Sequence, residues 1–487
     1  MVCLDREIVS SYVTDALARA RQIASSADAF ASSDFRSQVS KDLADMLKRM
    51  SEAIASGILR EWEDFRDDPG DPGLGALQNW DTLSRNLASH LRYLHGSIGD
   101  RVPGTLSRAL DILIAQLSLP FRVLLREKWA YNYAVDLREV VSQYRDSLSG
   151  ALPHSKIDEI FRGVSKDFFI LAFPALEKNS ILLHAALGHE IGHILTENWL
   201  LSHDDQDANV DARIIMKVSP LAERNKEREP LTWMTQVSGM VKQVRTARRR
   251  FLQELGADYF GLRLFGPAAL FAMSHIAVGR PLDIPPKEMT RYYPPWRLRL
   301  KFAFEALDER TGDGETGSWT LALQNEPSLK LDEFIGPIND RIRAIRRISS
   351  EESTLPSHWD ELVRIAYESA CEALPALKNH LRAEALREYP SEARILAEAA
   401  LLGRRIRDRL PPNDVALDGS YEPEPPQLAA ILIAAWFYRV GKLETPTTDV
   451  SSPDFIGEID ILHRLVAKAI DDTVLLKDFA AWSENDR

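Results

Sequence analysis

Residues 189 to 193 read His-Glu-Ile-Gly-His inside the apolar stretch SILLHAALGHEIGHIL. On a helix, two histidines four residues apart lie one turn above each other on the same face. Both imidazoles can reach one metal ion, and Glu190 between them can reach a water bound to that ion. The chemistry this spacing permits is metal-assisted hydrolysis. Ile181, Leu182, Leu183, Leu187, Ile191, Ile194 and Leu195 surround the motif, so the helix is expected to be buried. Asn179 or Ser180 is the expected N-cap. Buried imidazoles and a buried carboxylate need partners, and a metal would serve all three at once. The plain alternative is a pair of core histidines beside a satisfied carboxylate.

Two histidines leave such a site incomplete, because catalytic zinc has three protein ligands and one open position. A third histidine in the pattern H-E-x-x-H-x-x-G-x-x-H would need Gly at 196 and His at 199, where the chain has Thr196 and Trp199. An upstream cysteine ligand in a Gly-Cys-Leu-Ser setting is missing too, since Cys3 has no such neighbours. Downstream, FLQELGADYFGLRLFG places Glu254 and Asp258 at i and i+4, on one helix face. Phe251, Leu252, Leu255, Phe260 and Leu262 surround that pair, and Gly256 and Gly261 lack the bulk that would keep a neighbouring helix away. In this reading Glu254 is the third ligand, and Asp258 accepts a hydrogen bond from a zinc-binding imidazole and fixes its tautomer. The alternative pairs both carboxylates with Arg248, Arg249 and Arg250.

H-E-x-x-H followed sixty-one residues later by E-x-x-A-D-x-x-G resembles the gluzincin metallopeptidases, and among them the M48-like peptidases. Glu254, Ala257, Asp258 and Gly261 fill the second motif. Members of that group carry a later His-Pro segment with an Arg six residues after the His. Here the segment is YPPWRLR, with Tyr293 in the place of the His and Arg299 in the place of the Arg. The resemblance spans roughly residues 120 to 310 and implies a zincin-like core. It implies Zn²⁺ held by His189, His193 and Glu254, with Glu190 as general base and Tyr293 or Arg299 as donor to the oxyanion. It differs from the family's membrane-bound members in having no transmembrane segment and in its long helical flanks, so the expectation is a soluble, divergent relative.

The elements that must position these residues are mostly helices, giving a mainly α (α+β) fold class. Three regions are expected: a helical N-terminal region, 1–118; a metallopeptidase core, 119–310; and a helical C-terminal region, 318–487. Amphipathic helices fill the first region, broken by a loop at DDPGDPGLG, Asp67 to Gly75. Alternation at Trp129, Tyr131, Tyr133 and Val135 predicts a half-buried strand, and DFFILAF, Asp167 to Phe173, a second. A small sheet would then back the active-site helix, and an edge strand at 167–173 could hold an extended peptide by strand addition. Leu201 to Pro230 reads as loop, about Leu231 to Phe265 as helix, and RTGDGETG, Arg310 to Gly317, as a boundary. A Pro-rich break covers Pro411 to Pro426, and Leu462, Val466, Ile470 and Leu476 mark a terminal helix. His184 lies off the i, i+4 face and reads as packing, and His90, His95, His154, His203 and His275 show no ligand spacing.

Composition narrows the partners. The 487 residues carry a formal net charge of −12, which argues against nucleic acid or an anionic membrane as partner. Cys3 and Cys371 are too few for a disulfide framework, as expected in a reducing compartment. The start, MVCLDREIVSSYV, does not read as a signal peptide, and the longest apolar run, Leu428 to Tyr438, is too short to span a bilayer. The expectation is a cytoplasmic zinc peptidase acting on a peptide or protein, with a possible protein partner at its helical flanks. The other reading is a helical interaction or scaffold protein with a structural or inactive zinc site.

Overall fold

A computed structural model describes residues 6–33, 37–67, 71–99, 101–130, 133–136, 140–164, 168–204, 208–222, 230–278, 282–283, 293–309, 319–325, 335–350, 361–415, 425–444 and 449–485. It is mainly helical with one small sheet, and it divides into two compact units, Met1–Asn179 and Ser180–Arg487.

In the first unit, α1 (Arg6–Ala31), α2 (Gln38–Asp67), α3 (Asp71–Gly96) and α4 (Gly104–Gln116) precede β1 (Arg122–Lys128) and β2 (Ala134–Asp136). Then come α5 (Val140–Ser149), α6 (His154–Ile160) and β3 (Phe168–Pro174). Val9, Val13, Ala16, Ala20, Ile23 and Ala27 recur every three or four residues along α1 and are all buried. They pack with Leu43, Leu47, Met50, Ile54 and Ile58 of α2 in one core. Helix α3 begins at Asp71, inside the stretch expected to be loop to Gly75.

The sheet order is β1-β3-β2, with β1 parallel and β2 antiparallel to β3. Every residue of β3 is buried, as an unbroken apolar run in a central strand should be. Two expectations change here. The 167–173 strand exists, as Phe168–Pro174, but it is the central strand, paired with β1 along its length and with β2 over Ile170–Ala172, and not the edge strand expected to bind a peptide. The strand expected around 129–135 shrinks to Ala134–Asp136, and Trp129 lies outside it at 78% exposure; Tyr131 falls outside the described residues. The longer partner, β1, reads RVLLREK, whose apolar run passes into charge without alternating and so carries no period-two signal.

In the second unit a 3₁₀ turn, Ile181–Ala186, leads directly into α7 (Leu187–Trp199), which carries the His-Glu-Ile-Gly-His motif. Ser180 makes no side-chain cap: it precedes the 3₁₀ turn, and the Leu187 N–H bonds to carbonyls within that turn. A π turn, Leu200–Asp204, follows α7. Then come α8 (Ala208–Ala222), α9 (Pro230–Phe265), α10 (Pro267–Val278), α11 (Trp296–Asp308), α12 (Trp319–Asn325) and α13 (Ile335–Ser350). The chain continues through α14 (Glu361–Ala385), α15 (Glu392–Arg407), α16 (Leu428–Tyr438) and α17 (Pro453–Asn485).

Helix α8 replaces much of the loop expected over 201–230; its buried Val210, Ile214 and Val218 repeat every four residues along one face. The boundary expected at 310–317 lies outside the described residues. In α17 the buried series is Leu462, Val466, Ile470 and Val474, while Leu476 is off that face. Helix α16 is buried all round from Ala429 to Tyr438, and Trp436 donates to the Leu182 carbonyl at 3.1 Å, which ties it to the turn before α7. It is a core helix. Among the described residues no helix is long and apolar enough to cross a membrane.

The contact that matters most for chemistry is α7 on α9. A Cβ added at Gly192 would lie 2.7 Å from the Ala257 Cα, and one at Gly261 would lie 3.0 Å from the His189 nitrogen. A Cβ at Gly256 would meet the Thr196 hydroxyl at 2.6 Å. The two backbones therefore approach more closely than side chains would permit, as expected for Gly256 and Gly261. Gly188 and Gly192, spaced i and i+4 on α7, make the matching half of the contact.

Candidate metal centre

Helix α7 presents His189 and His193 with ring centroids 4.5 Å apart and planes at 79°. Helix α9, held against it by the glycine contacts, brings up Glu254 and Asp258. The Glu254 oxygens lie 3.6 Å from His189 Nε2 (Oε2) and 3.8 Å from His193 Nε2 (Oε1). One ligand atom from each of His189, Glu190 and His193 also lies within 4.8 Å of the others. Two carboxylates thus border the imidazole pair. Donors around a tetrahedral zinc, with bonds of about 2.0–2.1 Å, are roughly 3.3 Å apart, so the Glu254 oxygens are within a few tenths of an ångström of ligand spacing.

Glu254 Oε2 is also a buried oxygen with no hydrogen-bond donor, and leaving it so is costly. A cation at the convergence of these atoms would satisfy it. Glu190 follows His189 directly, so its side chain leaves the helix about 100° round from the shared imidazole face. It flanks the pair, as a proton acceptor must. His189, Glu190 and His193 therefore make a group that could hold a metal ion, and Glu254, 3.6 and 3.8 Å from the two imidazoles, stands close enough to join it.

Behind the imidazoles lies a second set of contacts. His189 Nδ1 donates to Asp258 Oδ1 at 2.8 Å, which leaves Nε2 as the free nitrogen facing Glu254. Asp258 is gripped from its other side by Arg299 of α11, through Nε at 2.7 Å and a terminal nitrogen at 2.5 Å. The remaining Arg299 nitrogen donates to the Tyr293 hydroxyl and lies 3.5 Å from Glu254 Oε2. The Trp296 ring sits 4.3 Å from the guanidinium centre and completes the clamp by a cation–π contact.

The plain alternative, Glu254 and Asp258 paired with the Arg248–Arg250 run, holds only in part. Arg250 lies 3.6 Å from Glu254. Arg249 bonds to Glu197, and Arg248 Nε donates to Ser369 at 3.0 Å.

Burial and charge set the protonation of the group. Burial pushes the Glu190 carboxyl up to about 7. Burial also brings His193 down to about 3, which leaves a neutral imidazole fit to be a ligand. Burial would raise Asp258 as well, but Arg299 and His189 outweigh it and hold that carboxyl at about 2. Glu254 is lowered for the same kind of reason: against burial stand His193, Arg299 and His189. His189 is raised, because Asp258 outweighs burial. Burial lifts the Tyr293 phenol well above its ordinary value, so it remains protonated.

All seven residues singled out from the sequence, His189, Glu190, His193, Glu254, Asp258, Tyr293 and Arg299, thus meet in one cluster. The sequence reading missed Trp296 beneath Arg299, and it missed Gly188 and Gly192. The glycines had a signal, since Gly in a helix interior costs about 1 kcal/mol and asks for a packing reason. His184 is buried in the 3₁₀ turn and is not part of the group. Among the described residues the one group of three His, Cys, Asp or Glu side chains whose ligand atoms all lie within 4.8 Å of one another is His189, Glu190 and His193, and Glu254 borders it at 3.6 and 3.8 Å from the two imidazoles.

No protein-family model matches the chain, and no curated protein or solved structure matches it either.

Proposed function

We propose that the chain is a soluble, cytoplasmic zinc metallopeptidase of gluzincin type, a divergent relative of the M48-like peptidases with a zincin-like core. One observation carries this reading. The Nε2 atoms of His189 and His193 lie 3.6 and 3.8 Å from the oxygens of the buried Glu254 carboxylate, and Glu190 stands beside them. When bound, zinc supplies a Lewis acid that polarises a carbonyl and lowers the pKa of water towards about 7.

The side chains do the rest. Glu190 takes the proton of the attacking water and delivers it to the leaving amine. Asp258 keeps the His189 proton on Nδ1, and Arg299 keeps Asp258 ionised and in place. Of the two expected oxyanion donors Tyr293 is the better placed. Its hydroxyl accepts from Arg299 and holds its own proton towards Glu254, from which it could turn to an oxyanion, whereas Arg299 spends two nitrogens on Asp258 and the third on Tyr293.

The test combines metal analysis of the purified full chain with cleavage mapping on mixed peptides. Glu190→Gln should retain one zinc per chain and lose at least about a hundredfold in turnover. Glu254→Ala should lose most of the zinc. Full activity in the first variant removes Glu190 as base, and undiminished zinc in the second removes Glu254 as ligand. Tight zinc without cleavage of any peptide in the unaltered chain would point instead to a structural site in a scaffold protein.

A further inference from the structure

We infer that Arg250 forms a carboxylate-binding subsite beside this metal centre, so that the substrate is a peptide carrying a carboxylate next to the bond that is cut. The inference rests on the proposed peptidase reading and adds the class of substrate to it. Arg250 stands one turn before Glu254 on α9. Its Nε lies 3.6 Å from Glu254 Oε1, and its guanidinium sits 5.5 Å from the centre of the Tyr293 ring. It therefore borders both a ligand and the better-placed oxyanion donor.

Among the described residues its one ion-pair partner close by is Glu254, an acid it shares with His189, His193 and Arg299. The neighbouring Arg249 has Glu197 as a hydrogen-bonded acid, and Arg299 has Asp258. Arg250 meets Glu254 only in a looser ion pair at 3.6 Å, and its hydrogen bond goes to the neutral Gln253 oxygen at 3.4 Å, a long contact from an amide whose nitrogen is turned to Glu197. Its Nε is buried and makes no hydrogen bond, and Glu254 stays beyond hydrogen-bond distance.

The side chain is nevertheless 31% exposed, while Glu254 is 2% exposed. The buried Nε thus lies against the site while part of the side chain reaches solvent. A planar fork so placed matches a carboxylate in two-point geometry. A metal sharing the Glu254 charge would leave Arg250 freer still to attract an anion.

Two sources can supply that group: an acidic side chain near the cleaved bond, or the free C-terminus of the peptide. The experiment measures binding to zinc-loaded full-length protein carrying Glu190→Gln, by anisotropy of four fluorescein-labelled hexapeptide pools. The pools have Glu or Gln at a fixed central position and a free or amidated C-terminus. We expect about tenfold tighter binding of one carboxylate-bearing class over its neutral counterpart. A Glu preference identifies an acidic side chain, and a free-acid preference identifies the terminus.

Added Arg250→Gln should abolish that preference while leaving zinc content and binding of the neutral pool unchanged. Arg250→Lys, which keeps the charge and the fold but not the fork, should retain part of it. Equal binding of all pools, a preference that survives Arg250→Gln, or loss of zinc in that variant overturns the subsite. If the unaltered enzyme cleaves no pool yet the Arg250-dependent preference persists, the peptidase reading falls and the anion site stands.

Discussion

At the scale of single residues the site is a relay of opposite charges, from Nδ1 of His189 to Asp258 and from Asp258 to Arg299. Its purpose is orientation. A neutral imidazole can carry its proton on either nitrogen, and Asp258 chooses Nδ1 by accepting from it at 2.8 Å. Arg299 in turn fixes the plane of Asp258 by holding both oxygens. Asp258→Asn keeps the shape of this group but leaves Arg299 as a buried cation with a neutral partner. Breaking a buried pair in this way costs about 3–5 kcal/mol, and removing the orienting carboxylate should weaken zinc binding by about ten- to a hundredfold. Chelator competition measures the affinity and urea unfolding the stability. Unchanged zinc affinity would show that His189 needs no such support.

At the scale of elements, the site depends on how closely α7 and α9 approach. Gly192 lies in the motif itself, and a methyl group there would meet the Ala257 backbone, which has no rotamer with which to yield. Gly192→Ala should cost about 1–3 kcal/mol and move the imidazoles away from Glu254. Gly239 on the same α9 makes a control, because an added Cβ there meets nothing within 4 Å. Gly239→Ala should be neutral or stabilise by up to about 1 kcal/mol through helix propensity alone. Equal effects of the two changes on the denaturation midpoint and on bound zinc would refute the packing argument.

The elements were unevenly legible. Helix α9 was legible nearly end to end, expected from about Leu231 to Phe265 and found over Pro230–Phe265. Helix α8 is hard to read from the sequence because only one buried residue per turn, Val210, Ile214 and Val218, marks its face, exposed Ile215 and Met216 blur that period, and the polar stretch SHDDQDAN runs into its start. Strand β1 escaped because an apolar run that grades into charge looks the same in a strand and in a short helix.

At the scale of the whole molecule, stability against acid should be set in part within the first unit, by Asp81 of α3. Its side chain is buried and receives hydrogen bonds from Tyr12 and Arg19 of α1, with Arg85 at 2.7 Å. Burial alone would raise that carboxyl, but the bonds from Arg19 and Tyr12 outweigh it and the folded value is lowered. A carboxyl held below its unfolded value contributes stability that is fully present above the unfolded value, about 3.9, and is lost as pH falls through the folded one. Melting temperatures of the full chain and of Asp81→Asn should therefore differ most near neutral pH and converge below about pH 4. A constant difference across that range would mean that Asp81 acts by shape and not by charge.

What the sequence determined by itself was the local geometry of the chemistry. Helical repeat alone puts His189 and His193 on one face, and Glu254 and Asp258 on another, whatever the rest of the chain does. Residue types then limit what those faces can hold. Only the tertiary structure decided how the faces meet: which nitrogen of His189 faces Glu254, that Arg299 grips Asp258 across 41 positions of chain, and that Tyr293 rests on that arginine. It also removed β3 as a peptide-binding edge by pairing it on both sides. The physical reason is range. Spacing along a helix is fixed by backbone hydrogen bonds between near neighbours, whereas the pairing of distant helices and strands is fixed by which surfaces fit once the whole core has packed.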